Sequence, residues 1–237
     1  MSLTNCVMLK KLVLFDIDGT LLRIGSINRQ ILIDALKEIF GTEGSAGYHD
    51  FSGKMDSSII YEVLSDTDLE QHEVAAKFDA VKQSYIRRFR AETRASDITL
   101  MAGVRELLET LAQRTDLLLG ILTGNFEASG RHKLKLPGID HYFSFGAFAD
   151  DGFHRSDLPP VAIERAFRLT GKKFSGRDIV IIGDTVHDIT CAKAVQAHSI
   201  AVATGNVALH ELRKNHPDTL LENLSRTENV IHSILNP

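Results

Sequence analysis

Four short apolar runs punctuate the chain, and each breaks into a small polar cluster. Residues 12–15 run into Asp16-Ile17-Asp18-Gly19-Thr20, residues 117–122 into Thr123-Gly124-Asn125, residues 179–182 into Gly183-Asp184-Thr185, and residues 199–203 into Thr204-Gly205. Uninterrupted apolar runs of this length suit strands buried on both faces, as in a parallel sheet. Helix-like stretches follow at 102–113, 125–135 and 186–197. Strands alternating with helices predict an α/β Rossmann-like parallel sheet with helices on both faces. In such sheets the ligand crevice forms outside the carboxyl ends of the strands, so the polar clusters are expected to converge in space.

Residues 27–95 carry a different pattern. Ile31, Ala35 and Ile39, and then Phe78, Val81, Tyr85 and Phe89, recur at helical spacing, and no strand-like alternation interrupts them. The stretch predicts an inserted α-helical cap domain over 23–96, leaving 1–22 and 97–237 as the core domain. Residues 41–47 read as a loop within the insertion. The basic run Arg87-Arg88-Phe89-Arg90 reads as a solvated helix face with one apolar anchor.

Composition narrows the possibilities. A hydrophobic content of 43%, with 24% charged residues, belongs to a folded globular chain. The formal charge of −4 provides no cationic surface for a nucleic-acid backbone, so no nucleic-acid partner is expected. No run approaches the length of a membrane span, and the segment before Lys11 does not read as a signal peptide. Cys6 and Cys191 are far apart and lack metal-ligand spacing, which suits a reducing compartment, and a cytoplasmic location is expected. The oligomeric state is left open.

The chemistry lies in the acids. Asp16 and Asp18 stand two apart beyond one strand, and Asp184 and Asp188 follow another. Carboxylates gathered at one mouth repel unless a cation compensates. An all-oxygen cluster suits a hard cation that also takes phosphate as a ligand, so the expected cofactor is Mg²⁺. A carboxylate held beside such an ion is still able to attack phosphorus, dividing hydrolysis into two displacements.

Asp16-Ile17-Asp18-Gly19-Thr20-Leu21 resembles the first motif of the haloacid dehalogenase-like hydrolase superfamily. Thr123-Gly124-Asn125 resembles its second motif and Gly183-Asp184-Thr185-Val186-His187-Asp188 its fourth, all in order over residues 12 to about 221. The resemblance is to the phosphatase branch with a helical cap after the first motif, phosphoglycolate phosphatase included. It implies Asp16 as nucleophile and metal ligand, and Asp18 as general acid and then base with its backbone carbonyl on the metal. It further implies Thr123, Gly124 and Asn125 around the phosphoryl oxygens, with Asp184 and Asp188 at the metal. The acid at position 18 suits phosphate esters and disfavours carbon–halogen cleavage.

The superfamily's third motif usually supplies a Lys. Here Arg155, just ahead of a helix beginning near Pro159, stands in the corresponding place, with Lys133 and Lys135 as rivals. Lys54, in Gly53-Lys54-Met55-Asp56, resembles a cap loop that approaches substrate in related phosphatases; the same residues also read as a turn and N-cap before a helix starting near Ser57. Thr123 and Asp188 have parallel local readings, as helix N-cap and as dipole complement. His154 and His187 are expected to be structural or exposed. The expected activity is hydrolysis of a small phosphorylated metabolite, a phosphate monoester, through an aspartyl phosphate on Asp16. A phosphomutase and a non-catalytic sensor of phosphorylated ligands are the alternatives.

Overall fold

The computed structural model describes residues 9–236, so Cys6 lies outside the described residues. Eight strands appear there: β1 Lys11–Phe15, β2 Leu22–Ile24, β3 Ile98–Leu100, β4 Leu117–Leu122, β5 Gly146–Ala147, β6 Ile179–Gly183, β7 His198–Val202 and β8 Thr219–Leu221. Six of them form one sheet in the order β5-β4-β1-β6-β7-β8, every pair parallel. The order reverses at β1, which places the switch point beside the Asp16 strand end, where ligands bind in open α/β sheets.

Alternate residues of the central strands feed two cores, as the two-residue strand period requires. Leu12, Leu14, Ile179 and Ile181 face one cluster, and Val13, Phe15, Val180 and Ile182 face the other. The first cluster takes residues from α6 Leu158–Thr170 and α7 Val186–Ala194; the second takes them from α4 Val104–Ala112 and α9 Thr227–Leu235. Two further core helices are α5 Glu127–Lys135 and α8 Leu209–Lys214. Pro159 and Pro160 sit in the first turn of α6, where a missing N–H costs nothing.

The insertion consists of α1 Ile27–Phe40, α2 Asp56–Leu64 and α3 Gln71–Glu92. It leaves and rejoins the core through the antiparallel pair β2–β3, with Leu22 opposite Leu100 and Ile24 opposite Ile98. Helix α1 ends on Gly41 in the left-handed region, and α3 opens with Glu73 accepting from the Glu70 N–H at 2.9 Å. Phe89 is fully buried, while Arg87 and Arg88 reach Glu38 at 2.9 and 2.8 Å, so the basic run is a paired helix face with an apolar anchor. No helix among the described residues is long and apolar enough to cross a membrane. Cys191 is a buried free thiol.

Candidate active site

The strand-end clusters meet in one cavity of about 290 Å³ between the sheet and the insertion. Asp16 prolongs β1, its N–H bonding to Ile182 O at 2.9 Å, and its side chain is buried. Gly19, at φ +88°, turns the chain away: a Cβ there would lie 2.4 Å from Asp184 Oδ2, so both conformation and space require glycine. Thr20 Oγ1 donates to Asp184 Oδ1 at 3.0 Å. Asp16, Asp184 and Asp188 each present an oxygen within 4.8 Å of the others, all three buried. Burial, and then the neighbouring carboxylates, hold Asp16 and Asp184 above the usual carboxylate range.

Arg155 answers that charge. It lies in the turn before α6, and its Nη2 bonds Asp16 Oδ1 at 2.8 Å and Asp188 Oδ1 at 2.6 Å. Burial works against the guanidinium charge, but Asp188 and Asp16 outweigh it and push the group further up. Its Nε is buried without an acceptor, leaving one donor of the fork unused. Asp188 also accepts from Thr185 N and Oγ1, at 3.0 and 2.7 Å, so it caps α7 as well as sharing the acid cluster.

On the other side, Thr123 Oγ1 accepts from Asn125 Nδ2 at 2.9 Å, and the same amide reaches Asp18 Oδ2 at 2.7 Å. Thr123 does not cap α5; that position falls to Phe126. Lys133 does not lie beside Asp16. It emerges from α5, fully buried, and its Nζ contacts Asp18 at 2.7 and 2.9 Å and Asn125 Oδ1 at 2.5 Å. Both candidate cations thus reach the site, each on a different aspartate. A lysine at a helical position carries no sequence mark of such a role, because burial of the ammonium depends on what α3 places over it. Phe89 of α3 lies 5.7 Å beneath that ammonium.

Lys54 lines the cavity, yet its Nζ is held by Glu62 at 2.6 Å and His49 at 3.0 Å, within the insertion. Met55 is the N-cap of α2, and Asp56, its first residue, does not cap its own helix. Its carboxylate instead accepts from Phe126 N of the core at 2.8 Å, a contact between segments that no local pattern signals. Gly205, three residues past β7, packs its backbone against Asp184. His154 and His187 are exposed.

A parallel α/β sheet with paired aspartates beyond β1, a hydroxyl beyond β4 and further acids beyond β6 defines a hydrolase fold built around a carboxylate at the switch point. Residues 13–202 match the haloacid dehalogenase-like hydrolase family, and the chain belongs to it. Among curated relatives, a probable phosphatase, IndB, of Dickeya dadantii is 26% identical over 96% of each chain. A phosphoglycolate phosphatase of Photobacterium profundum is 25% identical over 93% of this chain and 95% of its own. The crystal structure of a predicted phosphatase from Clostridium acetobutylicum shares the fold with a TM-score of 0.71, at 20% identity over 94% of this chain and 99% of that one.

Proposed function

We propose that the protein hydrolyses a phosphate monoester of a small metabolite, with Asp16 as the nucleophile that carries the phosphoryl group before water does. The observation that carries this reading is the position of Asp16: buried at the cavity floor, its charge met by Arg155, with Thr123 and Asp18 across the opening. The all-oxygen donor set of Asp16, Asp184 and Asp188 fits Mg²⁺, with the Asp18 backbone carbonyl as the further ligand that the family resemblance implies. Bound there, the cation would neutralise charge on the phosphoryl oxygens and on the acids.

The chain's own groups divide the remaining work. Arg155 holds Asp16 in place and brings a fixed positive charge to the phosphoryl site. The Thr123 hydroxyl and the backbone N–H groups of Gly124 and Asn125 supply donors for the others. Asp18 protonates the leaving oxygen and then takes a proton from the attacking water. The insertion, divided from the core at residues 23 and 96, acts as a cap that excludes bulk water, and Lys54 steadies its loop through Glu62.

Incubation with Mg²⁺ and a panel of phosphorylated metabolites should release inorganic phosphate, and quenched enzyme should carry an acid-stable phosphoryl group on Asp16. Asp16→Asn should reduce turnover to background. A phosphoryl group on any other residue refutes the scheme, and an isomerised sugar phosphate in place of free phosphate would make the enzyme a mutase.

A further inference from the structure

The loop at the start of α2 touches the core beyond two strand ends, those of β4 and β6, and at the turn that carries Arg155. Asp56 N donates to Gly124 O at 2.7 Å, and the Asp56 carboxylate accepts from Phe126 N at 2.8 Å, so one residue brackets Asn125 from both sides. Three residues earlier, Gly53 O accepts from Arg155 Nη1 at 2.9 Å. The fit is close: a Cβ on Gly124 would meet Lys54 O at 2.1 Å, and one on Gly53 would meet Thr185 Oγ1 and His187 at 2.7 Å.

The Asp56 carboxylate is itself unusual. Among the described residues it forms no ion pair within 4.0 Å, and the Lys133 charge acts on it only from farther off. Its principal bond is to a backbone donor at the beginning of α5, one of the N–H groups that a helix leaves unsatisfied. Helix α2 therefore places a carboxylate of the insertion where the core helix needs a cap.

The geometry points to Asp56 as a positioning residue through which seating of the cap sets the phosphoryl-binding strand end, an inference that rests on the phosphohydrolase reading. A trans peptide is planar, with its C=O and N–H on opposite sides. Once Gly124 O is held by Asp56 N, the Asn125 N–H must face the other way, toward Thr123 Oγ1, which it meets at 3.4 Å. Pinning Phe126 N fixes the far side of Asn125, whose side chain spans Thr123 and Asp18. With the loop unseated, the peptide between Gly124 and Asn125 loses one of its two anchors, and the phosphoryl donors lose their aim. The Arg155 bond to Gly53 O ties the same loop to the cation on Asp16.

Three variants test this. Asp56→Ala removes the acceptor, Asp56→Asn keeps an oxygen acceptor without the charge, and Gly124→Ala pushes the loop away while leaving Asp56 intact. With p-nitrophenyl phosphate and Mg²⁺, Asp56→Ala should lower kcat by about tenfold to a hundredfold, the scale of a small misplacement of catalytic groups, with KM changed less than about threefold. Gly124→Ala should follow it, and Asp56→Asn should stay within about threefold of wild type because the hydrogen bond survives. Hydrogen exchange of the Mg²⁺-loaded protein should accelerate in Asp56→Ala over residues 53–60 and 124–130 and not in Asp56→Asn. A kcat within about twofold of wild type in Asp56→Ala, an Asp56→Asn protein as impaired as Asp56→Ala, or unchanged exchange in both segments overturns the inference. If the wild type releases no phosphate, the phosphohydrolase reading falls instead, and the exchange comparison still decides whether Asp56 latches the two segments.

Discussion

Arg155 is the residue whose removal the structure prices most directly. Arg155→Met keeps much of the side-chain length and deletes the charge, leaving Asp16 and Asp188 without the guanidinium now 2.8 and 2.6 Å away. Breaking a buried ion pair by removing one partner typically costs about 3–5 kcal/mol, since the remaining charge is neither solvated nor paired. At roughly 2–4 °C per kcal/mol for a chain of this size, Tm should fall by about 6–20 °C near neutral pH. The loss should depend on pH with a definite sign. The folded pKa of Asp16 already lies above its unfolded value, and deleting Arg155 raises it further. A group with a raised folded pKa gives stability that is full below the unfolded pKa and drains as pH climbs through the folded one. The deficit of the variant should therefore be larger at about pH 7.5 than at about pH 5, where Asp16 regains its proton. On the proposed reading Mg²⁺ binds the folded acid cluster and not the unfolded chain, and should then restore about 2.7 kcal/mol at a concentration a hundredfold above its Kd. The chain has no tryptophan, so the measurement is calorimetry or far-ultraviolet circular dichroism, at both pH values, with and without Mg²⁺. A Tm drop under about 2 °C at the higher pH, or the same drop at both, refutes the reasoning.

Three further outcomes are expected. Lys133→Met frees Asp18 from the ammonium at 2.7 Å and should cost about 10²-fold in kcat on alkyl phosphates but less on aryl phosphates, whose leaving oxygen needs no proton; equal losses on both substrates would contradict the role given to Asp18. Gly205→Ala places a Cβ 1.6 Å from the present position of Asp184 Oδ2, so half-saturation by Mg²⁺ should rise by about tenfold, as for other losses of metal-site support, and an unchanged titration would remove Asp184 from the metal site. Asp18→Asn should still bind orthovanadate with Mg²⁺ while turnover falls by about 10²–10⁴-fold, and full activity would assign the proton transfers elsewhere.

The core of the fold is legible in the sequence because its central strands are buried on both faces, and continuous apolar runs ending in polar clusters state as much without reference to anything distant. The edge strands are not. β5 is only Gly146–Ala147, and β2, β3 and β8 are three residues each, too short for any period to register. The site divides in the same way. Asp16, Asp18, Thr123 and Asp184 follow directly from strand ends, and Arg155 follows from its place before α6. Lys133 and Asp56 are illegible because each acts on a residue from another part of the chain: Asp18 is 115 positions from Lys133, and Phe126 is 70 from Asp56. In sequence, Gly53-Lys54-Met55-Asp56 presents its lysine as the group aimed at substrate. In the structure Glu62 and His49 hold that lysine, and the aspartate makes the contact with the core.

The two cations also suit identical side chains two residues apart to the different work proposed for them. Prolonging β1 puts Asp16 and Asp18 on the same side of the chain, where unopposed they would compete for one proton and one metal. Arg155, arriving before α6, takes Asp16, and Lys133, arriving along α5, takes Asp18, so their charges are met by groups from different elements. Exposure separates them further: the Asp16 side chain is 5% exposed and that of Asp18 is 38% exposed. A nucleophile gains from burial, because an acyl phosphate formed there is kept from bulk water until the site admits one molecule. A general acid and base has the opposite need, since it must reach the leaving oxygen and then a water at the cavity mouth. The chain reaches that difference in depth within two residues. An aspartate pair without separate cations, or at equal depth, would lose it.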